Sequence, residues 1–394
     1  MAMIRPLSTL AATAVATVAA TAAAALALGG TAAPASAATS SLSPWISTAM
    51  SLAGAQQAAS GSGITVAVID TGTADLPQFA GRLTEGPSYV SGGADPDEEN
   101  HGTGVANLVL QVAPAAHILA IRAISNGTGA KTQNLTSCPV GRAVSYAAAH
   151  GAKVITMSLG NGDGDLTSYT GCEAQAVEKA LAAGITVLAA AGNNGFNSAT
   201  FVDGGGDGQD DESFPAGYPG VIAVAALSQS GSRAYFSTVH SFVDVGAPGV
   251  DIPTVEENGA AVTEEGTSEA TPLVAGVAAL ILSKAPGLAP YQVATAIERT
   301  ASHPGSWNAE TGYGGVNATA ALAAAEKMSA GSPVQAPVAY TGPADFSGAN
   351  AAGASASTTD AGGYIHAGIL FSLGLISLAG AFLLVRRRRR TAGA

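Results

Sequence analysis

The chain has 394 residues, of which 47% are hydrophobic and 11% are charged, with 16 basic residues, 28 acidic residues and two cysteines. This length and apolar content suffice for one large domain or two ordinary domains with a buried core. Residues 64–322 contain 9 basic and 25 acidic residues, a net charge of −16, so this region would repel a phosphate backbone and is not expected to bind nucleic acid. Two cysteines exclude a disulfide-dense scaffold and a four-thiolate zinc site. The composition leaves an acidic globular enzyme or binding domain with unusual ends.

The first 37 residues have the composition of a secretory signal peptide. One positive charge precedes a stretch rich in Ala, Val and Leu that runs to Leu28, and small residues follow at Ala35 and Ala37. A charged start, an apolar stretch and small residues before the cleavage point are the three parts of such a signal. We therefore expect cleavage after Ala37.

After a short N-terminal extension over 38–63, the region 64–322 alternates apolar runs with helical patterns. The runs are rich in β-branched residues and nearly continuous in hydrophobicity, as expected of strands that are buried on both faces of a sheet. They lie at residues 64–69, 117–121, 153–157, 185–189 and 221–224. Helices are expected between them, for example over 140–149 and 173–183. The alternation predicts an α/β fold with a mostly parallel central sheet and helices on both faces.

Four polar residues follow predicted strands or begin predicted helices. Asp70 directly follows the first strand, and Asn193 comes a few residues after the fourth. His101 and Ser268 each open a helix, and Pro272 would then lie within the first turn of the second one, where proline is tolerated. The carboxyl ends of parallel strands and the starts of the following helices share one edge of the sheet. We therefore expect the four polar side chains to meet at that edge.

The region after residue 322 differs in composition. Residues 323–363 are rich in Ala, Gly, Ser and Pro, which predicts a flexible linker. Residues 364–385 carry no charge, and a helix of this length matches the hydrocarbon core of a bilayer, about 30 Å thick. Five arginines begin the tail 386–394, which the positive-inside rule places in the cytoplasm. A cell-wall sorting signal also combines an apolar span with an Arg tail, but the nearest candidate motif, at 338–342, is a poor match. The pattern therefore favours a single transmembrane helix with residues 38–363 outside the cytoplasm.

An alcohol, an imidazole and a carboxylate at one edge are the parts needed for nucleophilic catalysis. The imidazole takes the proton of the hydroxyl, while the carboxylate selects the imidazole tautomer and stabilises the cation that forms. An amide donor opposite the hydroxyl stabilises the oxyanion of a tetrahedral intermediate. The four residues therefore indicate acyl-transfer chemistry.

Four sequence blocks carry a resemblance to a known family. They are AVIDTG around Asp70, HGTGVA around His101, AAAGNNG around Asn193 and GTSEATP around Ser268. In this order they resemble the signature blocks of subtilisin-like serine proteases, the subtilases, and weaker matches extend the resemblance over most of 64–322. It implies a peptidase domain in which Ser268 is the nucleophile and His101 is the general base, oriented by Asp70. Asn193 and the backbone amide of Ser268 would form the oxyanion hole.

The resemblance also implies a substrate-binding segment, an architecture and partners. Ser158, Leu159 and Gly160 are similar to the edge segment with which the family pairs substrate backbone. The signal peptide, single C-terminal span and short tail resemble in particular the mycosin branch, the membrane-anchored proteases of actinobacterial type VII secretion. The extension 38–63 is too short to be the prodomain that many secreted subtilisins carry. This shortness is a further resemblance to mycosins. These features imply a membrane-tethered, extracellular serine endopeptidase that acts on proteins or peptides, with type VII secretion components as further partners.

Two positions depart from the pattern of the family. Glu269 follows the nucleophile where the family usually has a hydrophobic residue, often Met. A carboxylate there would either disfavour an oxyanion or stabilise the start of the helix. Asn161 replaces a glycine that often follows the edge segment. An alternative hypothesis is therefore a catalytically impaired relative whose cleft binds peptides or secretion-complex partners, and a third is an esterase or amidase with the same triad.

Cysteine and acidic residues suggest two further features. Cys138 and Cys172 are the only cysteines and lie outside the cytoplasm in this interpretation, so we expect a disulfide between them. The acidic stretch 203–212 offers oxygen ligands for calcium, but its glycine content and the lack of an EF-hand pattern favour a solvated loop. No cofactor or metal is expected to be required for catalysis. Asp70-Thr71-Gly72 also fits the aspartic-protease tripeptide, but no second Asp-Thr-Gly or Asp-Ser-Gly tripeptide is present.

Overall fold

The computed structural model describes residues 41–90, 101–125, 138–160, 171–195, 210 and 212–331. The predicted signal peptide, most of the predicted linker, the predicted transmembrane helix and the basic tail lie outside these residues. Among the helices of the described ranges, none combines the length and the apolar character needed to cross a membrane.

The described residues form a seven-stranded sheet in which all neighbouring strands are parallel. Its strands are β1 (Thr65–Asp70), β2 (Leu83–Ser88), β3 (His117–Arg122), β4 (Val154–Met157), β5 (Thr186–Ala190), β6 (Ile222–Leu227) and β7 (Val245–Pro248). They lie side by side in the order β2-β3-β1-β4-β5-β6-β7. A separate antiparallel hairpin consists of β8 (Ile252–Val255) and β9 (Ala261–Glu264). The predicted parallel α/β sheet is confirmed for this part of the chain.

Helices cover both faces of the sheet because successive side chains of each strand point to opposite faces. In β1, Val66 and Val68 belong to the core on one face, and Ala67 and Ile69 belong to the core on the other. The helices of the first face are α1 (Pro44–Ala49), α2 (Leu52–Ala58), α3 (His101–Val112), α6 (Thr267–Lys284), α7 (Pro290–Glu298) and α8 (Ala318–Gly331). Those of the opposite face are α4 (Pro139–Ala149) and α5 (Cys172–Ala182).

Both borders of the predicted peptidase domain contain more helix than the sequence analysis predicts. Helices α1 and α2 lie within the predicted extension 38–63, and their residues Ile46 and Leu52 are buried in the core. Helix α8 continues to Gly331, so the first residues of the predicted linker 323–363 are helical. Alanine makes the composition of the predicted linker look flexible, but it also has the highest helix propensity. An alanine-rich helix becomes stable when one of its faces is buried against the core.

Helices α3 and α6 cross in close contact. A Cβ atom at Gly276 of α6 would lie 2.5 Å from the Cβ atom of Val112 and 3.1 Å from the carbonyl oxygen of Val109, both in α3. Each of the two helices begins at the carboxyl edge of the sheet, where β1, β4 and β5 end. Their crossing therefore sets the distance between the two helix starts that carry His101 and Ser268.

Candidate active site

The end of β1 and the start of α3 bring Asp70 and His101 together. Oδ1 of the buried Asp70 lies 2.7 Å from Nδ1 of His101, and it also accepts a hydrogen bond from the backbone amide of Thr71 at 2.7 Å. Because the carboxylate accepts, Nδ1 of His101 is the donor, and Nε2 is left to face other groups. The side chain of His101 is 26% exposed, whereas that of Asp70 is 1% exposed. This arrangement places an oriented imidazole at the surface with a buried carboxylate behind it.

Glycine at position 102 allows this close approach. The backbone amide of Gly102 donates to Oγ1 of Thr71 at 3.0 Å, and Oγ1 of Thr73 donates to the carbonyl oxygen of Gly102 at 3.3 Å. A Cβ atom at Gly102 would overlap the carbonyl oxygen of Gly72. Any other residue would therefore push the start of α3 away from β1 and separate His101 from Asp70.

Thr267 joins the segment after β5 to the start of α6. Its backbone amide and its hydroxyl both donate to Oδ1 of Asn193, at 3.0 and 2.9 Å. The amide of Gly192 donates to Oγ1 of Thr267 at 3.2 Å. These bonds fix the side-chain amide of Asn193 with its oxygen on Thr267, so its Nδ2 group faces elsewhere. The sequence analysis did not identify Thr267 as part of the site.

Nδ2 of Asn193 and the backbone amide of Ser268 border the same small space beside Gly266. A Cβ atom at Gly266 would lie 3.4 Å from Nδ2 of Asn193, 3.5 Å from the backbone nitrogen of Ser268 and 2.5 Å from Oε2 of Glu269. Glycine at this position therefore leaves room between two hydrogen-bond donors. Such a pair of donors can bind an oxyanion, although a carboxylate lies next to the same space.

Pro272 lies in the second turn of α6, not in the first turn as the sequence analysis predicts, because the helix already begins at Thr267. Proline has no amide proton, so the carbonyl oxygen of Ser268, four residues earlier, lacks the usual helical hydrogen bond from position 272. The hydroxyl of Ser158 donates to this oxygen at 2.7 Å. The side chain of Ser158 thereby joins the end of β4 to the start of α6.

Ser268 is half-buried, and its hydroxyl donates to the carbonyl oxygen of Ser158 at 3.4 Å. Among the described residues, this hydroxyl is therefore bonded to the segment after β4 and not to His101. In that segment, Ser158 is buried, Leu159 is half-buried and Gly160 is exposed. The structure thus places the predicted edge segment beside the predicted nucleophile.

Two glutamates affect the pKa of His101 in addition to Asp70. Burial acts to lower the pKa of His101, whereas the hydrogen-bonded carboxylate of Asp70 acts to raise it. Glu269 and Glu264 act in the same direction as Asp70, and the resulting pKa is about 9. Burial raises the pKa of Glu269 itself to about 7, against the lowering effect of His101. Glu264 lies at the end of β9 and belongs to none of the four sequence blocks. The fold of the hairpin β8–β9 brings it close to His101.

The remaining predicted features are the disulfide and the acidic stretch. Cys138 and Cys172 form a disulfide that joins the start of α4 to the start of α5, which confirms the predicted pairing. The acidic stretch 203–212 lies almost wholly outside the described residues. Within the described ranges, no cluster of three or more His, Cys, Asp or Glu side chains could hold a metal ion.

Comparison with known proteins identifies the family. The model of the subtilase family matches residues 61–314. The chain belongs to the subtilase family. This subtilase is 38% identical over 262 residues to subtilisin NAT of Bacillus subtilis subsp. natto and 37% identical over 259 residues to a thermostable alkaline protease of Halalkalibacterium halodurans. These matches cover 64% and 62% of this chain, and 63% and 64% of those relatives, so the chain spans slightly less than two thirds of their length.

Solved structures with a similar fold include proteases from secretion systems. One is described as the MycP3 protease from the type VII (ESX-3) secretion system, with 31% identity, a TM-score of 0.60, and coverage of 72% of this chain and 89% of that chain. Another is MycP1 from Mycobacterium smegmatis, with 26% identity, a TM-score of 0.59, and coverage of 72% and 87% of the two chains. This subtilase is thus similar in fold to mycosin proteases over most of their length.

Proposed function

We propose that this subtilase is a serine endopeptidase in which Asp70, His101 and Ser268 form the catalytic triad. The observation that carries the proposal is the 2.7 Å hydrogen bond between the buried Asp70 and the partly exposed His101, at the same sheet edge as Ser268. Membership of the subtilase family supports the same chemistry. The alternative, a catalytically impaired relative that binds peptides, draws support from Glu269, whose carboxylate borders the space between the oxyanion donors.

Hydrolysis begins when the Ser268 hydroxyl leaves the Ser158 carbonyl oxygen by rotation about its Cα–Cβ bond and transfers its proton to Nε2 of His101. Its oxygen then attacks the scissile carbonyl carbon, and the carbonyl oxygen becomes an oxyanion. Nδ2 of Asn193 and the backbone amide of Ser268 donate to that oxyanion. Removal of one such donor typically costs a factor of about 10² to 10³ in rate.

The protonated His101 then gives its proton to the leaving amine, and the acyl group remains on Ser268. Water, deprotonated by His101, releases the acyl group by the reverse sequence of steps. Asp70 holds Nδ1–H throughout, so Nε2 is the nitrogen that exchanges protons. The segment Ser158–Gly160 is proposed to pair with the substrate backbone on the acyl side of the scissile bond.

The proposed enzyme acts outside the cytoplasm and is held at the cell membrane. The signal-like residues 1–37, the uncharged run 364–385 and the basic tail 386–394 support this topology. Similarity to proteases described as belonging to type VII secretion systems supports proteins of such a system as partners.

A fluorophosphonate probe tests the function because it reacts only with an activated serine. We expect the probe to label the purified full-length chain and to fail with Ser268→Ala. The matched control is Ser283→Ala, since Ser283 is a half-buried serine of the same helix, 15 positions from Ser268, whose hydroxyl bonds only within α6. This control should be labelled like the wild type.

The outcome separates the two hypotheses. Absence of labelling in a folded wild-type chain would favour the peptide-binding alternative, whereas labelling that persists in Ser268→Ala would assign the nucleophile to another residue. When intact cells that express the full chain are treated with an impermeant form of the probe, the labelled protein should sediment with the membranes. Label that reaches the protein only after lysis would contradict the extracellular topology.

A further inference from the structure

A cavity of about 210 Å³ lies between the start of α3, the hairpin β8–β9 and the start of α6. Its volume corresponds to about seven water molecules at roughly 30 Å³ each, which is enough for the five non-hydrogen atoms of a lysine side chain. Val255 and Val262 of the hairpin provide apolar wall, and His101, Glu264 and Glu269 provide the ionisable groups. The cavity therefore combines an apolar wall with two carboxyl groups.

The carboxyl group of Glu269 is buried, and His101 is the cationic group that acts on it. The residue is only 6% exposed, and among the described residues its Oε2 atom has no hydrogen-bond partner. Burial of a carboxylate costs free energy, and burial therefore raises the pKa of Glu269 to about 7, although His101 and a backbone hydrogen bond act to lower it. No lysine or arginine is among the residues that line the cavity. A basic side chain that entered from outside would therefore find the side chain of Glu269 in the cavity wall and a second, exposed carboxyl group at Glu264.

The cavity lies on the side of His101 that faces the leaving group. His101 must deliver a proton to the leaving amine, so the residue that begins with this amine passes over the imidazole. The cavity lining includes His101 and the residue after Ser268, whereas the proposed acyl-side segment Ser158–Gly160 and the oxyanion donor Asn193 are not part of it. A side chain of the leaving-group residue can therefore enter the cavity.

We propose that this cavity binds the lysine or arginine side chain of the substrate residue directly after the cleaved bond, with Glu269 and Glu264 as the groups that pair with its charge. The inference rests on the proposed peptidase function and adds a substrate class to it. A bound cation also offsets the negative charge of Glu269 beside the space between Asn193 and the Ser268 amide. Cleavage before a basic residue is therefore favoured twice, by binding and by reduced repulsion of the oxyanion.

Cleavage of a peptide library tests the inference without knowledge of the acyl-side preference. The purified full-length chain in detergent is incubated at about pH 9 with synthetic peptides in which all residues occur equally often, and the products are identified by mass spectrometry. At this pH lysine and arginine remain charged. We expect lysine and arginine to be enriched about tenfold over glutamine directly after the cut, the ratio that one charge-assisted hydrogen bond can produce.

Three isosteric variants identify the residues responsible. Glu264→Gln and Glu269→Gln should each reduce the enrichment, and together they should bring it to within about twofold of glutamine. Glu265→Gln is the matched control, because Glu265 is the exposed acidic neighbour of Glu264 and does not line the cavity. It should retain the wild-type enrichment. Relative frequencies of products are unaffected by a general loss of rate, so a merely structural effect would leave them unchanged.

Each result bears on one of the two proposals. Cleavage without enrichment of basic residues, or enrichment that survives in the double variant, would overturn the inference while the peptidase function stands. Absence of cleavage together with absence of fluorophosphonate labelling would overturn the peptidase function itself. If Glu269→Gln fails to fold, as thermal unfolding would reveal, the exposed Glu264→Gln decides alone, because an unchanged enrichment there contradicts the paired-carboxylate subsite.

Discussion

The helices within each of the two helical layers of this subtilase are held together in different ways. The site layer, defined here by α3 and α6, carries His101 and Ser268 at its helix starts and is held by close non-covalent packing around Gly276. The linked layer, defined by α4 and α5 on the opposite face, carries the disulfide Cys138–Cys172. Both layers need a glycine at a close contact. A Cβ atom at Gly141 would lie 2.6 Å from Sγ of Cys138, and a Cβ atom at Gly276 would lie 2.5 Å from the Cβ atom of Val112.

This difference separates stability from catalytic geometry. A covalent bond in the linked layer restricts the unfolded chain, and it joins two helices on the face of the sheet opposite to α3 and α6. Packing in the site layer, in contrast, determines where His101 and Ser268 lie relative to each other. Disruption of the linked layer should therefore lower stability alone, whereas disruption of the site layer should lower stability and activity together.

Removal of the disulfide is the largest expected effect on stability. The bond joins cysteines 34 positions apart, and the loss of a cross-link across a loop of this length lowers the unfolding free energy by about 3–4 kcal/mol. We expect this loss for Cys138→Ala/Cys172→Ala, measured by urea denaturation, while kcat/KM of the folded variant stays close to that of the wild type. A fully folded double variant with strongly reduced kcat/KM would show that the linked layer also controls the site.

Gly276→Ala is the matching change in the site layer. The added methyl group meets the β-branched Val112, and such overpacking costs about 1–3 kcal/mol, more than the helix-propensity gain of about 1 kcal/mol. We also expect kcat/KM of the folded variant to fall, because a shift of α3 against α6 moves His101 relative to Ser268, and a displacement of about 1 Å can cost a factor of about 10².

A glycine in open space supplies the control for this experiment. A Cβ atom at Gly287, in the loop after α6, would have no atom within 4 Å in the described structure. Gly287→Ala should change neither the unfolding free energy nor kcat/KM appreciably. If Gly276→Ala behaves like Gly287→Ala, the close helix crossing does not set the geometry of the site.

Charge at the helix starts gives the smallest of the three effects. Helix α5 and helix α6 each have a glutamate in their first turn whose pKa is raised by burial to about 7, Glu173 and Glu269 respectively. Of these two glutamates, Glu269 acts on His101, whose pKa is about 9, and Glu173 does not. His101 must be neutral to act as a base, so kcat/KM should rise as the pH increases through about 9. Glu269→Gln removes a charge that favours the imidazolium, so the rise should move to lower pH.

Glu173→Gln is the control in the linked layer, and it should leave the pH dependence of kcat/KM unchanged. The measurement is the pH profile of kcat/KM for one substrate with all three proteins. A profile of Glu269→Gln that coincides with that of the wild type would mean that Glu269 does not influence the base. Equal shifts in both variants would mean that the effect comes from the net charge of the protein and not from contact with His101.

Much of the fold follows from local sequence pattern. The five predicted strands are all present, each beginning within one residue of its predicted start, and helices α4 and α5 lie within one residue of the predicted ranges. Strands that are buried on both faces leave a nearly continuous apolar signal. Strands β2 and β7 were not predicted, because LTEGPS is polar with a glycine and a proline, and VGAP also contains a glycine and a proline and has only one β-branched residue. Neither segment carries the long apolar run that identifies a buried strand.

The site was less accessible to sequence reasoning than the sheet. The pairing of Asp70 with His101 was expected, because strand ends and helix starts share an edge. Glu264 was not expected, since it lies in the hairpin, and no motif links it to that edge. Thr267 was also missed, although its place directly before Ser268 in the GTSEATP block is a usable signal.

The sequence determines the order of strands and helices and the residue types at the sheet edge, because these depend on neighbours within about ten positions. It also determines the acidic character of the domain, which is a sum over its residues. The role of Ser158 depended on distance in space. Its hydroxyl donates a hydrogen bond to the carbonyl oxygen of Ser268, 110 positions away. This carbonyl oxygen is the one that lacks a helical amide donor because residue 272 is proline. The charged cavity at His101 likewise arose from three elements that are separate along the chain, since long-range packing decides which side chains line the same cavity.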